Sequence, residues 1–181
     1  ARSAAERGWD VLALESGEIG LPLACSGHVS LDVWEFVPES ARAELLQNEI
    51  YGARFHLGGA DSPAHPFYKD EVVSNVIDRV ELDRTLADCA REVGADVRAG
   101  YTVTGIEEFA DRVEVRANGP DGVETFTARL VCGADGPRSK VRTAVGLPEP
   151  EELLHGVLGF SDEVDDDDFV DVHLTVPRFF A

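Results

Sequence analysis

Two acidic residues of the chain each follow a short apolar run, and acids in such a place can hold the sugar hydroxyls of a nucleotide. Glu15 comes directly after residues 11–14, and Asp135 comes directly after residues 131–134. Ligands of open α/β sheets bind outside the carboxyl ends of the strands, where a carboxylate accepts hydrogen bonds from ribose hydroxyls. The alternative for Glu15 is an ordinary solvated side chain at the end of a strand.

The residues before Glu15 match the second half of a βαβ dinucleotide-binding unit. Residues 1–7 predict the tail of a helix, Gly8 ends it, and the apolar run then predicts a buried strand of a parallel sheet. Glu15, with Ser16 beside it, is therefore expected to bind the ribose of a cofactor. Because the glycine-rich phosphate loop lies roughly 20 residues before such an acid, we expect the chain to be an internal fragment.

The segment after Asp135 predicts a tight turn and then a helix over residues 138–145. The N-terminus of a helix offers N–H groups and a positive dipole to a pyrophosphate. Asp135 can accept a hydrogen bond from a sugar hydroxyl, and Arg138 adds positive charge. We therefore expect Asp135, Gly136 and Arg138 to contact the cofactor, with a strand–turn–helix that binds nothing as the alternative.

Two further stretches carry residues capable of chemistry. Residues 78–86 read D-R-V-E-L-D-R-T-L and put Arg79 at the start of a helix, with Asp83 one turn later. Residues 18–30 form a loop, rich in glycine and proline, that contains Cys25. If these residues bind no ligand, Asp83 simply stabilises the helix by interacting with the positive end of its dipole. Cys25 is then a buried structural thiol.

Together these stretches resemble a large FAD-binding family that includes the aromatic hydroxylases and the geranylgeranyl reductases. Residues 133–142, G-A-D-G-P-R-S-K-V-R, resemble the Asp-Gly motif of that family, and residues 78–86 are similar to its D-R-x-x-x-D-x-x-L stretch. The loop with Cys25 looks like the G-x-P-x-x-C-x-G-x-x-S loop of geranylgeranyl reductases, whose cysteine the aromatic hydroxylases usually lack. The resemblance extends from residue 1 to about residue 146.

The resemblance implies FAD as the cofactor and adds two roles near it. It places Arg79 close to FAD, and it places Cys25 beside the flavin ring as a catalytic residue on the path of a long apolar substrate. Family members often carry a polar or basic residue where Ala24 stands here. The later Gly-Asp motif of the family would come after Ala181, so the chain by itself is expected to bind FAD weakly or not at all.

The activity that the resemblance implies is FAD-dependent reduction of C=C bonds in geranylgeranyl or other isoprenoid chains of membrane lipids. It further implies an external electron donor, either a reduced nicotinamide or a ferredoxin, and a cytoplasmic protein that contacts the membrane surface. Three alternatives remain: an FAD-dependent monooxygenase acting on a smaller ring substrate, an electron-transfer or FAD-carrying protein, and a domain that keeps the architecture without the cofactor.

Charge is the most unusual bulk property. Thirty-five acidic residues against sixteen basic ones give a net charge of −19, and only Lys69 and Lys140 are lysines. This predicts a salt-adapted, haloarchaeal protein, because molar salt screens the self-repulsion; an ordinary acidic bacterial protein is the alternative. Without a basic patch, the chain is not expected to bind the phosphates of nucleic acid.

No motif of the chain predicts a metal or a disulfide. The three cysteines are widely spaced, and Cys89 and Cys132 are expected in the core. The acidic run at residues 165–168 lacks the glycine and the distal glutamate of a calcium loop, so it predicts a solvated hairpin tip. No apolar run is long enough to cross a bilayer.

The fold class predicted for the chain is α/β. A Rossmann-like FAD-binding domain, with a parallel sheet plus antiparallel strands, is expected over residues 1–148, and the start of a β-rich substrate domain over residues 149–181. Helices are predicted after Ser30 and over residues 39–47, 80–93 and 138–145; strands are predicted over residues 11–14, 50–57, 71–77, 103–109, 112–117, 123–130, 131–134, 157–160 and 169–176.

Overall fold

The computed structural model describes residues 1–58, 62–161 and 167–174, and the chain divides into two compact units. The first unit comprises Ala1–Pro22 and Ala87–Val157, and the second comprises Leu23–Leu86 and Leu158–Ala181. Both contain helices and strands, so the chain is α/β as predicted. The predicted domain boundary at residue 148 stays a prediction.

The first unit contains a parallel strand pair. Its elements here are α1 (Arg2–Ala5), β1 (Leu12–Leu14) and β7 (Asp96–Arg98). Gly8, with φ of 80°, follows α1 as predicted, and β1 pairs in parallel with β7. The prediction of a fully buried β1 is wrong, since Leu12 is 38% exposed: within the described residues, β7 is the sole partner of β1.

An antiparallel sheet and a short helix complete the first unit. The elements are β8 (Thr102–Glu108), β9 (Val113–Gly119), β10 (Gly122–Ala128) and α4 (Lys140–Ala144). The strand order β10-β9-β8 confirms the two predicted hairpins. Alternation places Val115 and Ala117 of the central strand on the buried face.

The strand predicted over residues 131–134 is not formed. These residues have no hydrogen-bonded neighbour strand in the part of the chain that the structure describes, and a strand requires such a ladder. Consequently Cys132 is exposed, and its predicted place in the core is wrong. Cys89, on α3 (Arg79–Glu92), is buried as predicted.

The second unit contains one antiparallel sheet packed on helices. The elements are β2 (His28–Ser30), a 3₁₀ helix (Leu31–Glu35), α2 (Glu39–Leu45), β3 (Leu46–Ile50) and β6 (Ser74–Ile77), with strand order β2-β6-β3. Leu45, Ile77 and Leu82 of α3 are almost fully buried and form its core with Val37. The core therefore joins the start of α3 to β6, the strand that precedes it.

A second sheet of this unit mixes parallel and antiparallel strands. The elements are β4 (Gly52–His56), β5 (Ala64–Tyr68) and β11 (Phe169–His173), in the order β11-β4-β5. The single strand predicted over residues 50–57 is thus two strands in different sheets. Residues 157–160, predicted as a strand, form none, and Val157 and Phe160 are 95% and 82% exposed. The end of the last predicted strand, residues 175–176, lies outside the described residues.

Ionic contacts join β11 to β4. The guanidinium of Arg54 donates to both carboxylate oxygens of Asp171, at 2.9 and 2.5 Å, and forms a 2.5 Å ion pair with Asp167. His56 Nε2 lies 2.8 Å from Asp171 Oδ1, and its ring stacks on that of His173. Asp167 of the acidic run is therefore ion-paired to Arg54; the hairpin tip expected over residues 165–168 stays a prediction, since residues 165–166 lie outside the described residues.

The loop that contains Cys25 is fixed to β6 through a glycine. The Ile77 backbone N–H donates to the carbonyl of Gly27 at 3.0 Å, and Gly27 has φ of 87°. A Cβ at Gly27 would lie 2.4 Å from the carbonyl oxygen of Ile77. Since that oxygen belongs to the backbone of a buried strand, it has little room to yield.

We predict that Gly27→Ala destabilises the protein more than Gly94→Ala does. Gly94 has φ of 94° but open space around its Cβ direction, so alanine there meets only the left-handed backbone penalty, about 1–2 kcal/mol. Alanine at Gly27 meets the same penalty and also collides with Ile77. The free energies of unfolding in urea test this, and equal losses for the two variants would contradict it.

We predict that Asp171→Asn lowers the thermal midpoint by a few degrees at neutral pH. The neighbouring Arg54 guanidinium, helped by His56, lowers the pKa of the Asp171 carboxyl despite partial burial. A carboxyl with a lowered folded-state pKa stabilises the protein above its unfolded pKa, and this contribution disappears as the pH falls through the folded value. The difference between wild type and variant should therefore vanish in acid; Asp121→Asn, on an exposed turn, is the control.

Candidate cofactor site

Glu15 lies just beyond the carboxyl end of β1 and is held there by its backbone. Its N–H donates to the carbonyl of Arg98 at 2.8 Å, and its own carbonyl accepts from the N–H of Tyr101 at 2.8 Å. These bonds continue the pairing with β7 by one residue. The carboxylate therefore occupies the position at a parallel strand end where ligands of α/β sheets bind.

The residues directly after Glu15 orient its carboxylate. Oε1 accepts from the Gly17 N–H at 2.9 Å and from the Ser16 hydroxyl at 3.1 Å. A carboxylate offers about four acceptor sites on its two oxygens, so Oε2 keeps its capacity for a ligand hydroxyl on this exposed side chain. Ser16, predicted to contact the cofactor, thus has a contact of its own with Glu15.

The carboxylate of Asp135 is bound by the backbone of α4. Its Oδ2 accepts from the N–H groups of Lys140, at 2.6 Å, and Val141, at 3.3 Å. The Ser139 hydroxyl, followed by these two N–H groups, lowers the pKa of Asp135, and slight burial opposes them. The acid is therefore ionised throughout the neutral range and is aligned before any ligand arrives.

These bonds change the role expected of the helix N-terminus. A third N–H group, that of Arg142, donates to the Ser139 hydroxyl at 2.9 Å. The backbone N–H groups at the start of α4, a helix of only five residues, thus form hydrogen bonds within the chain. They are therefore not open to a pyrophosphate. The helix acts on a ligand indirectly, by fixing the Asp135 carboxylate.

The turn between Asp135 and α4 depends on Gly136 and presents Arg138. Gly136 has φ of 77°, a conformation that other residues rarely adopt. Arg138 is exposed, and no described residue forms a hydrogen bond or ion pair with it. A cation with no internal partner beside an oriented carboxylate can meet the phosphate and the sugar of one nucleotide.

Arg79 and Cys25 lie in the second unit. Arg79 begins α3, and its Nη2 lies 2.8 Å from Asp83 Oδ1, while its buried Nε has no partner in the described chain. Asp78 caps the helix by accepting from the Glu81 N–H at 3.0 Å. Cys25 is half-buried, in the loop that Gly27 fixes to β6.

The predicted site residues therefore divide between the two units. Glu15 contacts Ser16, and Asp135, Gly136 and Arg138 share one turn; both groups belong to the first unit. Cys25 and Arg79 belong to the second. That one cofactor joins all of them stays a prediction.

Sequence reasoning missed the residues that support these groups, namely Gly17, Ser139 and Arg142. Ser139 is 9% exposed and stands directly before α4, where serine is a favoured N-cap residue. This preference of serine for the N-cap position could have identified Ser139 from the sequence. Gly17 acts through its backbone N–H, and Arg142 acts through its backbone N–H and its guanidinium; residue types alone do not reveal these contacts.

The residues present fit a dinucleotide that carries sugars at both halves. Glu15 and Asp135 are each oriented by hydrogen bonds within the chain and retain acceptor capacity for hydroxyl groups. Arg138 adds an available positive charge. This set is suited to sugar hydroxyls and a pyrophosphate, and it offers no hydrophobic anchor of its own.

Comparison with known proteins agrees with this chemistry. A family described as FAD binding domain matches residues 42–176. A digeranylgeranylglycerophospholipid reductase of Methanopyrus kandleri is 32% identical over 155 residues, which cover 84% of this chain and 40% of the relative. A 12-dehydrotetracycline 5-monooxygenase/anhydrotetracycline 6-monooxygenase of Streptomyces rimosus is 34% identical over 79 residues, covering 44% of this chain and 16% of the relative.

A solved structure shares the fold. The geranylgeranyl bacteriochlorophyll reductase-like protein of Thermoplasma acidophilum superposes with a TM-score of 0.76 at 24% identity, covering 96% of this chain and 46% of that chain. This chain thus spans less than half the length of these reductase relatives. It belongs to the family described as FAD binding domain, and its cofactor is FAD.

Proposed function

We propose that the protein uses FAD to reduce C=C bonds in geranylgeranyl or related isoprenoid chains of membrane lipids. The supporting observation is the extent of the similarity to the reductases. Digeranylgeranylglycerophospholipid reductases align with 80–84% of the chain, whereas the tetracycline monooxygenase aligns with 44%. The cysteine loop at Cys25, which resembles that of the reductases, agrees with this assignment.

The first unit would bind the cofactor through its two oriented acids. Oε2 of Glu15 would accept from the adenosine ribose, and Asp135 would accept from a hydroxyl of the flavin side chain. Arg138 would lie against the pyrophosphate. When bound and reduced, FAD supplies the hydride for the double bond.

The second unit would shape the reaction space. The loop at Cys25 is held against β6 by its backbone, so the thiol would line the path of the apolar chain in a fixed position. Arg79, which already pairs with Asp83, would place its guanidinium near the cofactor. The required proton would come from water or a nearby donor, and the electrons from a reduced nicotinamide or a ferredoxin.

Hydroxylation is the second candidate function. It is favoured by the 34% identity to the tetracycline monooxygenase over its shorter alignment. A monooxygenase would act on a compact ring substrate and would add oxygen, whereas a reductase adds hydrogen. The product therefore distinguishes the two functions.

We predict that Asp135→Asn in the full-length protein weakens FAD binding roughly tenfold, the equivalent of one charge-assisted hydrogen bond. Glu15→Gln should have a similar effect, and Asp121→Asn, on an exposed turn, should have none. Because Ser139 and the α4 N–H groups lower the pKa of Asp135, its contribution to affinity should persist through the ordinary titration range of aspartate and disappear only at lower pH. Fluorescence titration measures this; unchanged affinity in both acid variants would contradict the site.

We predict that full-length protein with reduced FAD adds hydrogen to digeranylgeranyl lipids in steps of two atoms. The physical reason is that each turnover delivers one hydride and one proton to one double bond. Mass spectrometry of the extracted lipids tests this, with enzyme lacking reductant as the control. Gain of an oxygen atom would instead assign the monooxygenase function.

A further inference from the structure

Arg142 connects the Asp135 turn to the chain on both sides of α4. Its Nη1 donates to the carbonyl of Pro137 at 2.8 Å, and its Nη2 pairs with Glu149 Oε2 at 2.5 Å. The side chain is 17% exposed. Pro137 lies inside the turn, between Gly136 and Arg138, so this guanidinium holds the backbone that links the two predicted ligand contacts.

The bond to Pro137 matters more than the ion pair. Glu149 is 71% exposed, and exposed ion pairs add little to stability because solvent screens them. The bond to the Pro137 carbonyl instead joins a largely buried side chain to the turn. A second contact acts in the same direction, since the Thr143 hydroxyl donates to the carbonyl of Ser139 at 3.0 Å.

We propose that Arg142 is the positioning residue of the cofactor-binding turn. By holding Pro137 it restrains Gly136 at its positive φ and keeps the Asp135 carboxylate aligned toward FAD, without touching the cofactor itself. This inference rests on the proposed role of Asp135 in FAD binding. It adds a residue whose effect on the cofactor is transmitted through the backbone.

The geometry requires a guanidinium. Its two terminal nitrogens point apart, so one reaches Pro137 while the other reaches Glu149. A lysine ammonium is a single point charge and cannot hold both acceptors in the same way. The buried Nε of Arg142 has no partner among the described residues, so the side chain retains this arrangement despite an unsatisfied donor.

The test uses the full-length protein and measures two properties of each variant, the FAD dissociation constant and the circular dichroism of bound flavin. Arg142→Gln and Arg142→Lys are compared with Arg91→Gln. Arg91 lies in the same unit and makes the same kinds of contact, a 2.7 Å bond to the Asp88 carboxylate and a 3.0 Å bond to the Val97 carbonyl. Unfolding in urea is measured in parallel, and Asp135→Asn serves as the reference for the turn.

Both Arg142 variants should weaken FAD binding roughly tenfold and alter the circular dichroism of the bound flavin. Arg91→Gln should leave FAD binding and flavin dichroism unchanged, although it lowers the free energy of unfolding in urea by a similar amount. Wild-type FAD binding in the Arg142 variants, with weakened binding in Asp135→Asn, would overturn this inference and leave the proposed function intact. Weaker binding with unaltered dichroism and a much larger loss of stability than in Arg91→Gln would also overturn it, as a purely structural effect. Normal binding in Asp135→Asn would instead refute the role of the turn.

Discussion

The hydrogen bonds between the Asp135 carboxylate and the backbone N–H groups of Lys140 and Val141 are the interaction on which the account depends. They satisfy donors that a helix N-terminus otherwise leaves unpaired. They also hold the acid ionised and fix its direction while the side chain remains exposed. One short helix therefore stabilises its own N-terminus and presents a carboxylate to a ligand.

Glu15 follows the same principle on a different element. Its backbone is held by the parallel pairing with β7, and its carboxylate is oriented by the hydroxyl and N–H of the next two residues. In both cases the chain orients the carboxylate, which retains acceptor capacity for a ligand. Oriented acceptors lose little freedom on binding, which favours affinity for hydroxyl groups.

The features that the sequence predicts well are local. The glycines after α1, α3 and α4 all have positive φ, and each ends its helix where residue type alone predicts. The hairpins of β8, β9 and β10 likewise follow from alternation and from the turn at Gly122. These features need no distant partner, so a short stretch of sequence determines them.

The features that the sequence predicts poorly depend on distant partners. Residues 131–134 have the composition of a strand but no neighbour to pair with in the described chain. No strand is predicted for the residues of β5, which include Pro66. The strand nevertheless forms, because it lies at the edge of its sheet, where proline is tolerated. The site shows the same limit, since Glu15 and Asp135 could be selected by pattern while the contacts of Arg142 could not.

The most direct test is a crystal structure of the full-length protein with FAD. We expect Asp135 Oδ2 to accept still from the N–H groups of Lys140 and Val141 while the carboxylate also accepts from a hydroxyl of the flavin side chain, with Glu15 on the adenosine ribose. An FAD molecule bound away from either carboxylate, or an Asp135 that has left α4 to reach it, would contradict the account.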